Sequence, residues 1–348
     1  MGKKIRTAII GYGQMGQIHE AILREIEEVE LVALCDINPK LAERATDLDF
    51  FEDDRSLYEK VELDVVHICL PQYLHYQALR QATAAGVHAL CADPMALNPL
   101  ELQRISDLSE KYPHLRIASL LPQRHELAFQ ALRKFLTAED NGALLGMRLN
   151  VSAHCERKDF EDCPWKGLVS TAGGGVLVSH GHAVLDQMLR IAGPCERLLG
   201  KCINLLDYPI EVEDTCAARL YFPSGTRALL NLTLADPVAS ETDILLYYPD
   251  VIYRLLGGSI YRSERSGDRW TAFEAIYEDG LCDGRERFRM GLDLSMRRFY
   301  TALRMKTDDY YHVEDVFPVC QLIDRIYYSS RYNTLVVPVK QNNPAYGV

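Results

Sequence analysis

The chain has 348 residues, 48% of them hydrophobic and 25% charged, ordinary proportions for a soluble globular protein with material for two domains. A formal net charge of -11 repels phosphate backbones and argues against a nucleic-acid partner. No apolar run is long enough to cross a bilayer, and the ten cysteines form no C-x-x-C pair, so we expect reduced thiols, no disulfide framework, no membrane partner and a cytoplasmic location.

The charged start MGKKIR precedes an apolar run too short for a signal peptide, so RTAIIGYG reads as a buried strand ending in glycines. QIHEAILREIEEV carries apolar residues at Ile18, Ile22 and Ile26 and predicts a helix. ELVALCD and LDVVHICLP are further strands, the latter closed by Pro71. HYQALRQATAAG is a helix stopped by Gly86, and VHALCA is a strand. NPLELQRISDLSEKY is a helix with Asn98 as N-cap and Pro99 in its first position; LRIASLL is the last strand of this set. Strands apolar on both faces, alternating with helices, predict a parallel sheet covered on both sides.

Near residue 122 the pattern changes. ELAFQALRKFL predicts an amphipathic helix. GMRLNVSAHC, CAARLYF, RALLNLTLA, TDILLYY and VIYRLLGG then read as strands of an open, largely antiparallel sheet. A final helix, VEDVFPVCQLIDRIYYSSR, precedes a short strand, TLVVPV. The expected fold is α/β: a parallel-sheet domain over residues 1–121 and a second α/β domain with the open sheet over 122–348.

Gly11, Gly13 and Gly16 form G-x-G-x-x-G between a strand and a helix, with Gln14 and Met15 inside the turn. Gly11 permits the tight turn, Gly13 lets a pyrophosphate approach the backbone, and Gly16 lets helix and strand pack closely. The helix N-terminus then offers free N–H groups to the phosphates. Asp36 ends the second strand, placed to accept hydrogen bonds from the ribose hydroxyls of NAD and to repel the extra phosphate of NADP.

Four segments in order carry a resemblance to the Gfo/Idh/MocA family of NAD(P)-dependent oxidoreductases: CLPQYLHYQALRQATAAGVHALCADPMAL, WKGLVSTAGGGVLVSHGHAVLDQML, VEDTCAARLYFPSGTRALL and FYTALRMKTDDYYHVEDVFPVCQLIDRIYYSSR. The resemblance implies a Rossmann domain and a second α/β domain whose open sheet forms a homodimer or homotetramer. It implies hydride exchange between NAD(P) and a hydroxyl or carbonyl of a sugar, inositol or related small molecule. It places Pro71, Tyr73 and His75 toward the cofactor cleft, and Trp165, Lys166, Arg124 and Asp186 at the substrate.

The sequence departs from the family at two places. Where the family has Glu-Lys-Pro this chain reads Ala92-Asp93-Pro94; where it has Asp-x-Gly-x-His-x-x-Asp this chain reads Ser179-His180-Gly181-His182-Ala183-Val184-Leu185-Asp186. An ionised aspartate accepts hydrogen bonds but donates none, and it serves as a base if burial raises its pKa. Asp93, His182 and His180 are the catalytic candidates. In an extended segment His180 and His182 share a side; in a helix His182 and Asp186 stand one turn apart. With His154 they make only a weak case for a metal, and none is expected. Each candidate has a structural alternative: Asp93 as a cap or ion-pair partner, Lys166 as a surface cation, Arg124 in a salt bridge, His75 as a helix-start residue. A cofactor-binding protein without turnover, or a reductase of a non-sugar double bond, are the competing functions.

Overall fold

The computed structural model describes residues 3–44, 47–237, 241–265, 269–274 and 284–337. In chain order the elements are β1 (Ile5–Ile10), α1 (Gln14–Leu23), β2 (Val29–Cys35), β3 (Asp49–Phe51), α2 (Asp54–Lys60), β4 (Val65–Ile68), α3 (His75–Ala84), β5 (His88–Cys91), α4 (Pro99–Lys111) and β6 (Ile117–Ser119). There follow α5 (Leu127–Ala138), β7 (Gly146–Ser152), α6 (Arg157–Asp162), α7 (Val169–Ala172), α8 (Val176–Ser179), α9 (Gly181–Ala192), β8 (Arg197–Ile203), β9 (Thr215–Tyr221) and β10 (Arg227–Thr233). The last are β11 (Glu241–Tyr247), β12 (Val251–Leu256), β13 (Ser259–Glu264), β14 (Thr271–Glu274), α10 (Gly284–Met305) and α11 (Phe317–Tyr332).

Local chemistry sets several of these boundaries. Asn98 caps α4, its Oδ1 accepting the Glu101 N–H at 3.0 Å, and Pro99 follows where its missing N–H costs nothing. Asp53 caps α2 in the same way, accepting from Ser56 N at 2.8 Å. Gly86, at φ +77°, lets the chain leave α3 in a conformation other residues resist.

The chain forms two compact units. The first gathers residues 1–125, 169–173 and 288–317; the second gathers 126–168, 174–287 and 318–348. The sequence reading places a single boundary at 121/122, whereas the units divide at 125/126 and two later segments join the first unit.

The first unit is built on a six-stranded sheet, order β3-β2-β1-β4-β5-β6, with every pairing parallel. This is the doubly wound order in which β1 and β4 flank the point where the connections reverse direction. β4 is buried along its whole length, which is why it reads as unbroken apolar sequence around one histidine. Ile9, Leu34, Val65, Leu90 and Ile22 form the core, joined by Leu292, Met296, Phe299 and Tyr300 of α10.

The second unit carries an eight-stranded sheet, order β14-β13-β12-β11-β7-β10-β9-β8. Only β7 and β10 pair in parallel; the other six pairings are antiparallel. β9 and β10 alternate buried and exposed residues, as a sheet with one covered face requires. Leu199, Ile203 and Leu229 stand exposed on the other face.

The sequence reading and the structure differ in places. β3 and α2 are too short to carry a clear period, and β8, β13, β14 and α10 also go unrecognised in it. The expected final helix splits into a 3-10 turn at Val313–Val316 and α11, as suits Pro318 in a first helical turn. Of TLVVPV, residues 338 and 339 lie outside the described residues; the remainder shows a single bridge, Val336 to Leu198.

Candidate active site

The glycine turn sits at the end of β1 beside β4. Gly11 has φ +92°, and a Cβ there would lie 2.6 Å from the Cys69 carbonyl oxygen, so backbone and neighbour both demand glycine. Gly13 is different: a Cβ on it would meet nothing within 4 Å. Its bare, exposed Cα is open space at the start of α1. No side chain caps α1 and no acid stands in its first turn, so its leading N–H groups and their partial positive charge face outward. Gln14 is exposed and Met15 half-buried in the same turn, while Gly16 is buried against the Gly11 carbonyl.

Asp36 Oδ2 accepts the Tyr12 N–H at 2.7 Å and Oδ1 accepts the Asn38 N–H at 2.9 Å. Those two bonds fix the carboxylate at the tip of β2 and leave lone pairs for further donors. An open glycine at an uncapped helix start, with an acceptor held at the next strand end, fits a dinucleotide: the turn suits a pyrophosphate and Asp36 a ribose diol.

Two loops follow β4 and β5 in this unit. Pro71 is half-buried and Tyr73 is 40% exposed. His75, expected toward the cofactor or as a helix-start residue, is 1% exposed, with Nε2 2.7 Å from the Leu70 carbonyl and Nδ1 3.1 Å from the Met95 carbonyl. It starts α3 and ties the two loops together. Burial lowers its pKa, opposed by those carbonyls and by the nearby charge of Asp93. Asp93 is half-buried and joined to Pro94 by a cis peptide bond. Arg124 is 7% exposed and bound to Asp315, with Nη1 to Oδ1 at 2.7 Å and Nη2 to the carbonyl at 2.9 Å, its guanidinium over the Tyr311 ring. The salt-bridge alternative describes it.

In the second unit the glycine run is held by Glu213. Its Oε2 accepts the Gly175 N–H at 3.0 Å, and its Oε1 accepts the Leu177 N–H and the Tyr327 hydroxyl, each at 2.9 Å. A Cβ on Gly175 would lie 1.8 Å from the Glu213 carbonyl oxygen, so the approach excludes any side chain. Burial raises the Glu213 pKa against the lowering effect of these donors. Glu213 lies in the segment VEDTCAARLYFPSGTRALL, 38 residues from Gly175, so an acid facing the glycine triplet is visible only in three dimensions.

His180 lies between α8 and α9, exposed, with Nδ1 2.9 Å from Ser179 Oγ. Solvent reaches the ring, yet the protein crowded around it strips enough hydration to lower its pKa. α9 has begun by residue 181, so His182 and Asp186 stand one turn apart on it, both buried at 4% and 3% exposure. The helical alternative therefore holds, and His180 and His182 do not share an exposed side. Trp165 is half-buried and Lys166 exposed in the 3-10 turn Pro164–Gly167; the Asp159 carboxylate, held below its ordinary pKa first by the Glu156 N–H, also feels the Lys166 charge. His154 sits apart, its Nδ1 3.1 Å from the Asp236 carbonyl. Among the described residues no three His, Cys, Asp or Glu side chains are grouped to hold a metal ion.

Residues 5–117 match the model of an oxidoreductase family with an NAD-binding Rossmann fold, and residues 129–254 match the GFO/IDH/MocA C-terminal domain. The chain belongs to the Gfo/Idh/MocA family.

Family members similar to it include the D-glucoside 3-dehydrogenase of Escherichia coli K12, 29% identical over 197 residues, 54% of each chain. The inositol 2-dehydrogenase of an Arthrobacter species is 26% identical over 151 residues, 42% of this chain and 44% of that one. The alignments thus span about half the length of these relatives. The WlbA dehydrogenase of Bordetella pertussis, solved with NADH and UDP-GlcNAcA, shares the fold at a TM-score of 0.83 and 21% identity, covering 97% of this chain and 100% of that one.

Proposed function

We propose that this protein is an NAD-dependent dehydrogenase that exchanges a hydride between nicotinamide and a hydroxyl or carbonyl of a sugar, inositol or related small molecule. The observation that carries the reading is the open Gly13 at the uncapped start of α1, with Asp36 fixed at the neighbouring strand end. Family membership and the polyol dehydrogenases among the relatives support it.

The bound cofactor supplies the hydride chemistry. Gly11, Gly13, Gln14, Met15 and Gly16 hold its pyrophosphate, Asp36 its ribose, and Pro71 and Tyr73 line its loop. Asp36 makes NAD the preferred cofactor over NADP because a carboxylate repels the additional phosphate. Asp93 replaces the usual lysine and accepts the hydroxyl proton during oxidation; its charge also favours the cationic oxidised nicotinamide. His180, the exposed histidine, is the second proton-transfer group. His182 and Asp186 position the start of α9, while Trp165 and Lys166 contact substrate. Arg124 and His75 hold backbone.

The loss of the family lysine at Asp93 favours one other reading, a cofactor-binding regulator without turnover. We place the protein in the cytoplasm as a homodimer or homotetramer joined through the exposed sheet face bearing Leu199, Ile203 and Leu229. Among the described residues no helix is long and apolar enough to cross a membrane. Calorimetric titration with NADH and NADPH tests the cofactor assignment: NADH binds more tightly, and absence of NADH binding at millimolar concentration overturns it. Light scattering after gel filtration tests the oligomer.

A further inference from the structure

Cys202 on β8 and Cys216 on β9 are directly opposite in register, with their sulfurs 3.2 Å apart. The backbone shows what kind of pair this is. The Cys202 N–H donates to Ser330 Oγ at 2.9 Å, and the Ser330 hydroxyl donates to the Cys202 carbonyl at 3.5 Å. The N–H groups of Gly200 and Leu198 point the same way, to Ser329 Oγ and the Val336 carbonyl, each at 2.9 Å. Both backbone groups of Cys202 therefore turn away from β9. Cys202 and Cys216 form a non-hydrogen-bonded antiparallel pair, in which facing Cα atoms lie about 4.5 Å apart and side chains approach most closely. That spacing falls within the roughly 4.4–6.8 Å range a disulfide accepts.

We propose that Cys202 and Cys216 are a reversible dithiol–disulfide modification site. Cys202, at the end of β8, is half-exposed, whereas Cys216 is fully buried. The hydrogen bond shared with Cys202, with the Cys216 thiol as donor, and then burial push the Cys216 thiol up; Cys202 is the one peroxide reaches, so it reacts first. With hydrogen peroxide as oxidant, the Cys202 thiolate attacks a peroxide oxygen, the O–O bond breaks, and Cys202 becomes a sulfenic acid as hydroxide leaves and takes up the proton that the Cys202 thiol had released, forming one water. Cys216 Sγ then attacks Cys202 Sγ, the S–O bond breaks, and the departing hydroxide takes the Cys216 proton to form a second water. Two thiols thus lose two electrons and two protons to one peroxide.

The cross-link joins both ends of segment 203–215. Inside it, Asp214 accepts the Leu205 and Leu206 N–H groups at 2.8 and 2.7 Å, and the Glu211 N–H donates to the Gly167 carbonyl at 2.8 Å. The segment is the seat of the turn that carries Trp165 and Lys166, and oxidation tightens that seat.

The test is peptide mapping of the full-length protein after peroxide treatment and alkylation, with hydrogen exchange on both forms. We expect a linked Cys202–Cys216 peptide lacking two hydrogens, released by dithiothreitol, and severalfold slower exchange across 204–214 in the oxidised protein. In Cys216→Ser, the Cys202 sulfenic acid persists and is trapped by dimedone. The proposal is overturned if both cysteines remain alkylatable, if Cys202 pairs elsewhere, or if exchange across 204–214 is unchanged on oxidation. The wild-type map decides the matter even where the variant does not fold, and neither readout depends on dehydrogenase activity.

Discussion

His19 and His67 meet inside the first unit with their Nδ1 atoms 3.0 Å apart, both rings fully buried. His67 Nε2 continues the chain to the Tyr300 hydroxyl at 2.8 Å, and Tyr300 to Thr7 Oγ1 at 3.1 Å. Burial lowers His19 to about 3, and burial with the neighbouring His19 lowers His67 as well. Both are held neutral. The unfolded chain takes protons at these histidines below about pH 6.5 while the folded chain refuses them. Their contribution is complete above that pH and is lost as pH falls, for His19 toward about 3, at roughly 1.4 kcal/mol per unit for each histidine. Urea denaturation at pH 7, 6, 5 and 4 is expected to show a shallower pH dependence in His19→Phe, by about that amount per unit. Equal slopes would contradict the buried neutral pair.

The glycines of the nucleotide turn are expected to separate folding from binding. Gly11→Ala places a Cβ against the Cys69 carbonyl at positive φ and should lower the melting temperature markedly. Gly13→Ala meets no protein atom, so its stability should stay within about 1 kcal/mol of wild type. Its methyl group occupies the space a pyrophosphate needs, and NADH affinity should fall at least tenfold, about 1.4 kcal/mol. Thermal melting and calorimetry on both variants check this; an unchanged NADH affinity in Gly13→Ala would argue against the turn as the cofactor cradle.

Asp36→Asn keeps one acceptor for the Tyr12 N–H but removes the charge. Weaker NADH binding, by about 1.5 kcal/mol, should come with stronger NADPH binding. Competition titration reads both, and a parallel loss for the two cofactors would show that the carboxylate only supports the loop.

Glu213→Gln turns one of the oxygens that accept from Gly175, Leu177 and Tyr327 into a donor. A buried group left unpaired costs about 1–3 kcal/mol, and denaturant melts should show a loss of that size. A loss under about 0.5 kcal/mol, the range of an ordinary surface change, would mean that the turn holds without Glu213.

The parts legible from sequence were those written in local spacing. The strand–glycine–helix pattern and Asp36 place the nucleotide turn, and Asn98, Pro99 and Gly86 mark helix ends, because each acts within a few residues. The α10 stripe of Leu292, Met296, Phe299 and Tyr300 was also present at helical spacing, but six arginines between 285 and 304 obscure it. What stayed hidden depends on distant partners. Arg124 meets Asp315 and His19 meets His67 only after folding, and the Cys202–Cys216 pairing needs the register of β8, a strand interrupted by Gly200 and Lys201. The H-G-H segment could not be resolved from sequence because its two geometries differ only in where α9 begins.

The most direct test of the proposed dehydrogenase is turnover: NAD+ and NADH with a panel of glucosides, inositols and their keto forms, followed by NADH absorbance. We predict turnover of at least one member of the panel, reduced by a hundredfold or more in Asp93→Ala and in His180→Ala. Binding of NADH without turnover of any panel member would contradict the account and leave the non-catalytic reading in its place.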